Sequence, residues 1–227
     1  MSTLFVTATG TEIGKTLVTA ALCHELQAAG RPVRALKPVL SGYDPADLNE
    51  SDPGVLLASL GEAVTEETVA AITPWRFAVP LSPDMAAARE GRRLDLAAIV
   101  AFCRAAEGDP LLIEGIGGAM VPLDDDHTVL DWIAELAAPA LVVAGSYLGT
   151  ISHTLTTLAA IRGRGVAVAG LVISESPESP VPLSETAETI NRHAGPLPTI
   201  LVPRLSAGPA PWRAAPPIAR PLGLLGK

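Results

Sequence analysis

Cysteine, positive charge and long apolar runs are all in short supply in this chain of 227 residues. The two cysteines, Cys23 and Cys103, lie in helix-like segments with neither the spacing nor the context of a disulfide or a metal site. Both read as small buried apolar side chains. Lysine and arginine total 16 against 24 acidic residues, a net charge of −8 with an isoelectric point near 5.0. That balance argues against a nucleic-acid or anionic-membrane surface, since both reward a basic face. The hydrophobic fraction is 48%, yet no apolar run approaches the roughly 18 residues a membrane span needs. The best stretch, Leu136–Gly145, is too short and contains Pro139. No basic segment precedes the first apolar run, so it does not read as a signal peptide. The four histidines show no ligand spacing, and neither a G-x-S-x-G element nor a cysteine–histidine pair offers an acyl-transfer nucleophile. A soluble cytoplasmic protein with no nucleic-acid or membrane partner is expected.

What is present alternates. Apolar, β-branched runs suit strands at Thr3–Ala8, Val33–Leu36, Pro110–Glu114, Ala140–Ala144, Ala167–Ile173 and Thr199–Val202. Helical periodicity fills Lys15–Ala29, Pro53–Leu60, Pro83–Glu90, Leu94–Ala106, Val129–Leu136, Thr150–Arg162 and Leu183–His193. Continuous apolar strands separated by helices predict an α/β protein with a mostly parallel sheet covered on both faces. The length predicts a single domain over 1–227, ending in an irregular Pro/Ala-rich tail at about 206–222. There is no internal repeat.

The first strand runs into Thr9-Gly10-Thr11-Glu12-Ile13-Gly14-Lys15-Thr16, and an amphipathic helix begins there. A strand, a glycine-bearing loop and a helix N-terminus aim backbone N–H groups at one point, which phosphate oxygens suit. Lys15 adds a positive charge for the β- and γ-phosphates, and the Thr16 hydroxyl is placed for Mg²⁺. Thr9 stands where the strict G-x-x-x-x-G-K-[ST] pattern has glycine, so this loop uses its glycines differently. The context still predicts a P-loop NTPase-type fold.

Two further strand ends carry charge. In Leu36-Lys37-Pro38-Val39-Leu40-Ser41-Gly42, Pro38 keeps the chain extended past Lys37. Its ammonium is either a second cation for a transferring phosphoryl group or a solvated strand-end lysine. Ile113-Glu114-Gly115-Ile116-Gly117-Gly118 ends a strand in a carboxylate and a glycine-rich loop, a pattern suited to Mg²⁺ and close ligand approach. Asp52 is explained equally well as a helix N-cap or as a second metal carboxylate. Asp124-Asp125-Asp126 reads as a solvated turn.

Together these stretches resemble the dethiobiotin synthetases, ATP-dependent cyclo-ligases. The likeness rests on Thr11–Thr16, Lys37–Gly42, Asn49-Glu50-Ser51-Asp52, Glu114–Gly118, Leu148–Thr154 and Ala169–Ile173. It runs in order from about residue 4 to 205. The Lys-Pro-Val-x-Ser-Gly element is its most specific part, and it assigns Lys37 to catalysis beside Lys15. The resemblance implies a homodimer that joins 7,8-diaminopelargonic acid and CO₂ at the expense of MgATP. It implies nucleotide contacts at Glu12, Ile13, Gly14, Lys15, Thr16, Leu17, Asp52, Glu114, Gly115, Ile116, Gly117, Ser174, Glu175, Pro203, Arg204 and Leu205. Metal ligands would be Thr16, Asp52 and Glu114. Substrate contacts would be Thr11, Lys37, Ser41 and Gly118, with Leu148, Gly149, Thr150 and Ser152 supplied by the second subunit.

The chain departs from the family pattern at Ala8, usually glycine, and at Ser152, commonly asparagine. Ser174-Glu175 replaces an Asn-Asp pair that reads adenine, and Ala210 stands where a glutamate often contacts the base. A serine cannot offer the paired donor and acceptor of an amide, so weaker selection of ATP over other nucleoside triphosphates is expected. A division-site or partition ATPase of related architecture would carry an extra lysine where this chain has Gly10. A cobyrinate-type amide ligase would need a glutaminase domain for which 227 residues leave no room.

Overall fold

The computed structural model describes residues 3–225, so the first two and last two residues of the expected 1–227 unit lie outside it. The elements run β1 (Thr3–Ala8), α1 (Lys15–Ala28), β2 (Arg34–Leu36), β3 (Val39–Ser41), α2 (Asp52–Ser59), α3 (Glu66–Ile72), β4 (Trp75–Phe77) and α4 (Pro83–Arg89). They continue with α5 (Leu96–Ala105), β5 (Leu111–Glu114), α6 (Val129–Leu136), β6 (Ala140–Ala144), α7 (Thr150–Gly163), β7 (Val168–Ser174), α8 (Leu183–Ala194) and β8 (Thr199–Val202).

Six parallel strands form the main sheet in the order β2-β5-β1-β6-β7-β8. Every residue of β5 and β6 is buried, so both faces of the sheet are covered, as unbroken apolar strands require. The core closes on Phe5 and Trp132, which meet edge to face at 4.8 Å. Burial pushes the thiols of Cys23 and Cys103 up to about 12, which fits inert packing side chains.

All six expected strands are present within a residue or two of their anticipated ends. The sequence reading had no place for α3, β4 or a separate β3. The chain bends at Pro38, and Val39–Ser41 leaves the main sheet to pair in parallel with Trp75–Phe77. Strands of three residues are too short to display a period of two. In contrast, α3 has a visible signature: Thr65 and Thr68 form a reciprocal cap, and Val69 and Ile72 are its buried residues.

The sheet register builds the site. Leu36 pairs with Ile113 and Val6 pairs with Glu114. One residue further along β2 sets Lys37 opposite Glu114, beside the loop that leaves β1. These are the carboxyl ends of β5 and β1, inside an open parallel sheet, and of β2 at its edge, the side of the sheet where such folds bind ligands.

Candidate active site

Helix α1 starts without help from a side chain. Its N-cap is Gly14, left-handed at φ 95°, and no side-chain hydrogen bond caps it. The first-turn amides are therefore left for an anionic ligand. Glycine is needed here twice over: φ is positive, and a Cβ would stand 3.0 Å from the Ser174 hydroxyl oxygen.

Beside this helix start four segments meet. Lys37 Nζ donates to Asp52 Oδ2 at 2.7 Å, to Glu114 Oε1 at 2.8 Å and to the Gly115 carbonyl at 2.9 Å. Thr16 Oγ1 lies 2.8 Å from both Asp52 Oδ1 and Glu114 Oε1. Lys37 is 1% exposed and Glu114 is fully buried. Burial alone would depress the Lys37 ammonium, but the Asp52 and Glu114 carboxylates outweigh it and hold the group above the usual lysine range. Burial would likewise raise Asp52, and Lys37 overrides that to leave its carboxyl below the usual range.

Two open questions close here. Lys37 is not a solvated lysine. Asp52 is not the cap of α2, because Ser51 takes that place and accepts the Gly54 N–H at 3.2 Å. The Asp52 carboxylate is thereby free to face Lys37. Gly54 lets the preceding turn lie close, since a Cβ there would sit 1.9 Å from the Leu48 carbonyl oxygen.

The oxygens of Thr16, Asp52 and Glu114 suit Mg²⁺, a hard cation that binds through one or two carboxylates plus phosphates and water. Glu114 Oε2 is buried without a hydrogen-bond partner, and this orphaned acceptor fits the same role. Among the described residues no group of three or more His, Cys, Asp or Glu side chains gathers, so a site completed by phosphate and water is the kind these residues can build.

Lys15 is 7% exposed. Burial, and then the neighbouring Lys37 charge, lower its ammonium to about 8, with Glu114 and Asp52 offsetting only part. A bound triphosphate favours the charged form and raises this value again. If Lys15 contacts the triphosphate, ATP affinity should be fully present below about pH 8 and should fall about tenfold per pH unit above it. Calorimetric titrations at pH 8 in two buffers of different ionisation enthalpy should show uptake of about half a proton per ATP. Buffer-independent heats and a flat affinity from pH 7 to 9 would contradict this.

Two cavities flank the loop. One of about 360 Å³ is lined by Thr11, Lys15, Thr16, Lys37, Ser41, Asp52, Ile116 and Gly117, together with Glu12, Ile13, Gly14 and Leu40. The other, about 490 Å³, lies over Gly14 and Leu17 and is walled by Ser174, Glu175, Pro203, Arg204 and Leu205, with Ser176, Pro177, Ser206, Ala207 and Pro211. All the anticipated nucleotide residues except Glu114 and Gly115 therefore line one or other of two adjoining hollows. Leu40, Ser176, Pro177, Ser206, Ala207 and Pro211 were not anticipated. Ala210 does not line the second hollow; Pro211 does.

Within the glycine-rich loop, Ile116 and Gly117 line the Lys37 cavity, while Gly115 and Gly118 serve packing. A Cβ on Gly115 would strike the Phe5 ring at 2.8 Å, and one on Gly118 would lie 3.3 Å from the Gly10 nitrogen. Gly115 brings the loop against the Phe5 ring, and Gly118 brings it against the backbone of the loop after β1. Neither Gly115 nor Gly118 lines the two cavities, and Gly115 acts through the carbonyl that holds Lys37.

Leu148, Gly149, Thr150 and Ser152 line neither of these cavities in their own chain. Leu148 is 88% exposed, and the Thr150 hydroxyl is spent on the Gly145 carbonyl at 2.8 Å. Tyr147, which the sequence reading passed over, and His153, the last residue of the loop it assigned to the second subunit, line a third hollow of about 650 Å³ along Thr9–Ile13.

A parallel sheet with a Gly-Lys-Thr loop after its first strand defines a P-loop nucleotide-binding protein, and the family model described as an AAA domain matches residues 2–209. Solved structures of the cell-division ATPase MinD share the fold. The MinC:MinD complex of Aquifex aeolicus aligns with a TM-score of 0.55 at 11% identity, over 89% of this chain and 81% of that one. MinD of Pyrococcus furiosus aligns at 0.50 and 19%, over 89% and 84%. Sequence relatives are far nearer. The chain is 54% identical over 202 residues to the ATP-dependent dethiobiotin synthetase of Acidiphilium cryptum, covering 87% of this chain and 91% of that one. Against the enzyme of Methylobacterium nodulans it is 55% identical over 204 residues, covering 86% and 90%. The chain belongs to the ATP-dependent dethiobiotin synthetases, a family of ligases.

Proposed function

We propose that this chain makes dethiobiotin from 7,8-diaminopelargonic acid, CO₂ and ATP, releasing ADP and phosphate. One observation carries the mechanism: a buried ammonium, a hydroxyl and two carboxylates from four segments converge beside an uncapped helix start. One substrate amine adds to CO₂ and loses a proton, giving an N-carbamate. A carbamate oxygen attacks the γ-phosphorus, the bond to the bridging oxygen breaks, and ADP leaves. The second amine then attacks the carbonyl carbon of the mixed anhydride, closing the ureido ring and expelling phosphate.

Carbamate and ATP are both anionic, so their meeting needs cations. The α1 amides and Lys15 hold the triphosphate. Lys37 lets go of Asp52 and Glu114 and settles between the carbamate oxygen and the γ-phosphate. Thr11 and Ser41, at the margins of the same cavity, face the carbamate end. Thr16, Asp52 and Glu114 would hold Mg²⁺, which when bound neutralises phosphate charge and orients the γ-phosphoryl group. No protein nucleophile is required.

The segment Leu148–Ser152, exposed at Leu148, Gly149 and Ser152, fits the far end of the substrate in the second subunit of a homodimer. The N-cap of α7 is Gly149, left-handed at φ 102° and without a side-chain cap; the Thr150 N–H is taken by the Tyr147 carbonyl at 3.1 Å, which leaves the Ile151 and Ser152 amides for a carboxylate. Gly118 supports the loop rather than touching substrate.

The base hollow over Leu17 offers little selectivity. Glu175 accepts the Arg204 N–H at 2.7 Å, and Ser174 has a single hydroxyl. Without a paired donor and acceptor, CTP and GTP should support turnover within about tenfold of ATP. An ATP preference above about a hundredfold would contradict this.

The function itself is tested by supplying diaminopelargonate, bicarbonate and MgATP and measuring phosphate and ureido product together. One phosphate per ring is expected. Slow hydrolysis indifferent to the diamine would make the protein a nucleotide switch instead.

A further inference from the structure

The segment beyond β8 is anchored at both ends. Pro203–Ala207 and Pro211 form the outer wall of the 490 Å³ hollow. The near end is tied where the Arg204 N–H donates to Glu175. Residues Pro211–Ala214 form one 3₁₀ turn packed on α1, with Trp212 only 5% exposed. The chain then reaches Ile218 and Ala219, which have no exposed surface.

There one side chain of α1 gathers its backbone amides. Glu25 Oε2 accepts the N–H of Ile218 at 2.6 Å and of Ala219 at 2.8 Å, and Oε1 accepts from Arg220 at 3.3 Å. Hydrogen bonds to an ionised acceptor are roughly twice as strong as neutral ones, and only an acceptor-only group with two oxygens can serve three adjacent donors. Glu25 stands ten residues along the helix from Lys15, about 15 Å at 1.5 Å per residue. It touches neither cavity. It does tie the wall of one of them to the helix that begins at the phosphate loop.

We propose that Glu25 is a positioning residue for the nucleotide base: by latching residues 218–220 to α1, it holds the Pro203–Pro211 wall at the distance from the loop that a stacked base requires. This rests on reading the 490 Å³ hollow as the base site. When the latch is cut, the stretch keeps the buried Trp212 but loses its polar tie at 218–220, so the wall loosens against the base while the phosphate loop stays intact.

Inorganic tripolyphosphate separates the two halves of the site, because it engages the loop and has no base. Binding of ATP and of tripolyphosphate to the full chain, each with Mg²⁺, is measured by calorimetry, alongside steady-state kinetics. Glu25→Ala should weaken ATP about tenfold, in line with the loss of charge-assisted hydrogen bonds. Tripolyphosphate affinity and kcat should not change, and KM for ATP should rise. Glu25→Gln keeps one accepting oxygen and should fall between; it carries the comparison if the alanine variant does not fold. A variant that retains the wild-type preference for ATP over tripolyphosphate overturns the proposal, as does one that loses both ligands equally. A wild-type protein with no such preference removes the base site, and the proposal with it.

Discussion

Replacing Lys37 with alanine lowers kcat for dethiobiotin formation by about a hundredfold or more, the effect of removing a group that stabilises charge only as it develops. The structure explains why the loss should fall on turnover. Lys37 is buried, fully charged and held by Asp52 and Glu114 one strand from the phosphate loop. Nothing in the nucleotide hollow over Leu17 depends on it, so binding of ATP should change far less than kcat. The substitution also strands the fully buried Glu114 carboxylate, which should reduce the free energy of unfolding by about 3 kcal/mol. That is a fraction of the roughly 5–15 kcal/mol of an ordinary domain, so the fold survives. Steady-state assays with circular dichroism and urea unfolding check all three points. A variant with unchanged turnover would mean that Lys37 serves only to balance the two carboxylates.

Glu114→Gln should be nearly as damaging, by another route. Glu114 Oε1 is shared by Lys37 and Thr16 at 2.8 Å each, and the side chain is sealed at the end of a wholly buried strand. The amide keeps the shape and one acceptor, but removes a charge from a site that already holds two lysines. Lys37 keeps Asp52 and loses its second counter-charge. Turnover at saturating ATP should fall about a hundredfold, and the Mg²⁺ concentration for half-maximal rate should rise. Urea unfolding without metal should give a lower midpoint at an unchanged slope, the signature of lost stability without a change in the surface exposed. Wild-type Mg²⁺ dependence in this variant would remove Glu114 from the metal site.

Much of the frame could be read without coordinates. Six apolar runs separated by helices specify a parallel sheet because each strand must be dry on both faces, and β5 and β6 are. The loop before Lys15 was legible because its chemistry is local: a strand, a glycine, a lysine and a helix within a dozen residues. Scarcity added a signal that was not used, since the chain has three lysines and two of them stand in this site. Relations between distant segments were not legible. Whether Asp52 capped its helix or faced a cation depended on Ser51 doing the capping and on Lys37 arriving from another strand. Of the glycines of the 115–118 loop, Gly117 lines the Lys37 cavity, whereas Gly115 answers to Phe5 and Gly118 to the backbone of Gly10. The hollow over Leu17 draws on Gly14, Ser174 and Pro211, and no periodicity in sequence predicts such a meeting. The tail looked irregular because its order comes from Glu25, 193 residues earlier.

The account turns on Lys37 exchanging its carboxylates for the reacting phosphate. A crystal structure with Mg²⁺, a non-hydrolysable ATP analogue and diaminopelargonate addresses this directly. The ammonium of Lys37 should lie about 3 Å from a γ-phosphate oxygen, with Thr16, Asp52 and Glu114 turned to the metal. An ammonium still bridging Asp52 and Glu114 while the analogue fills the site would contradict the mechanism.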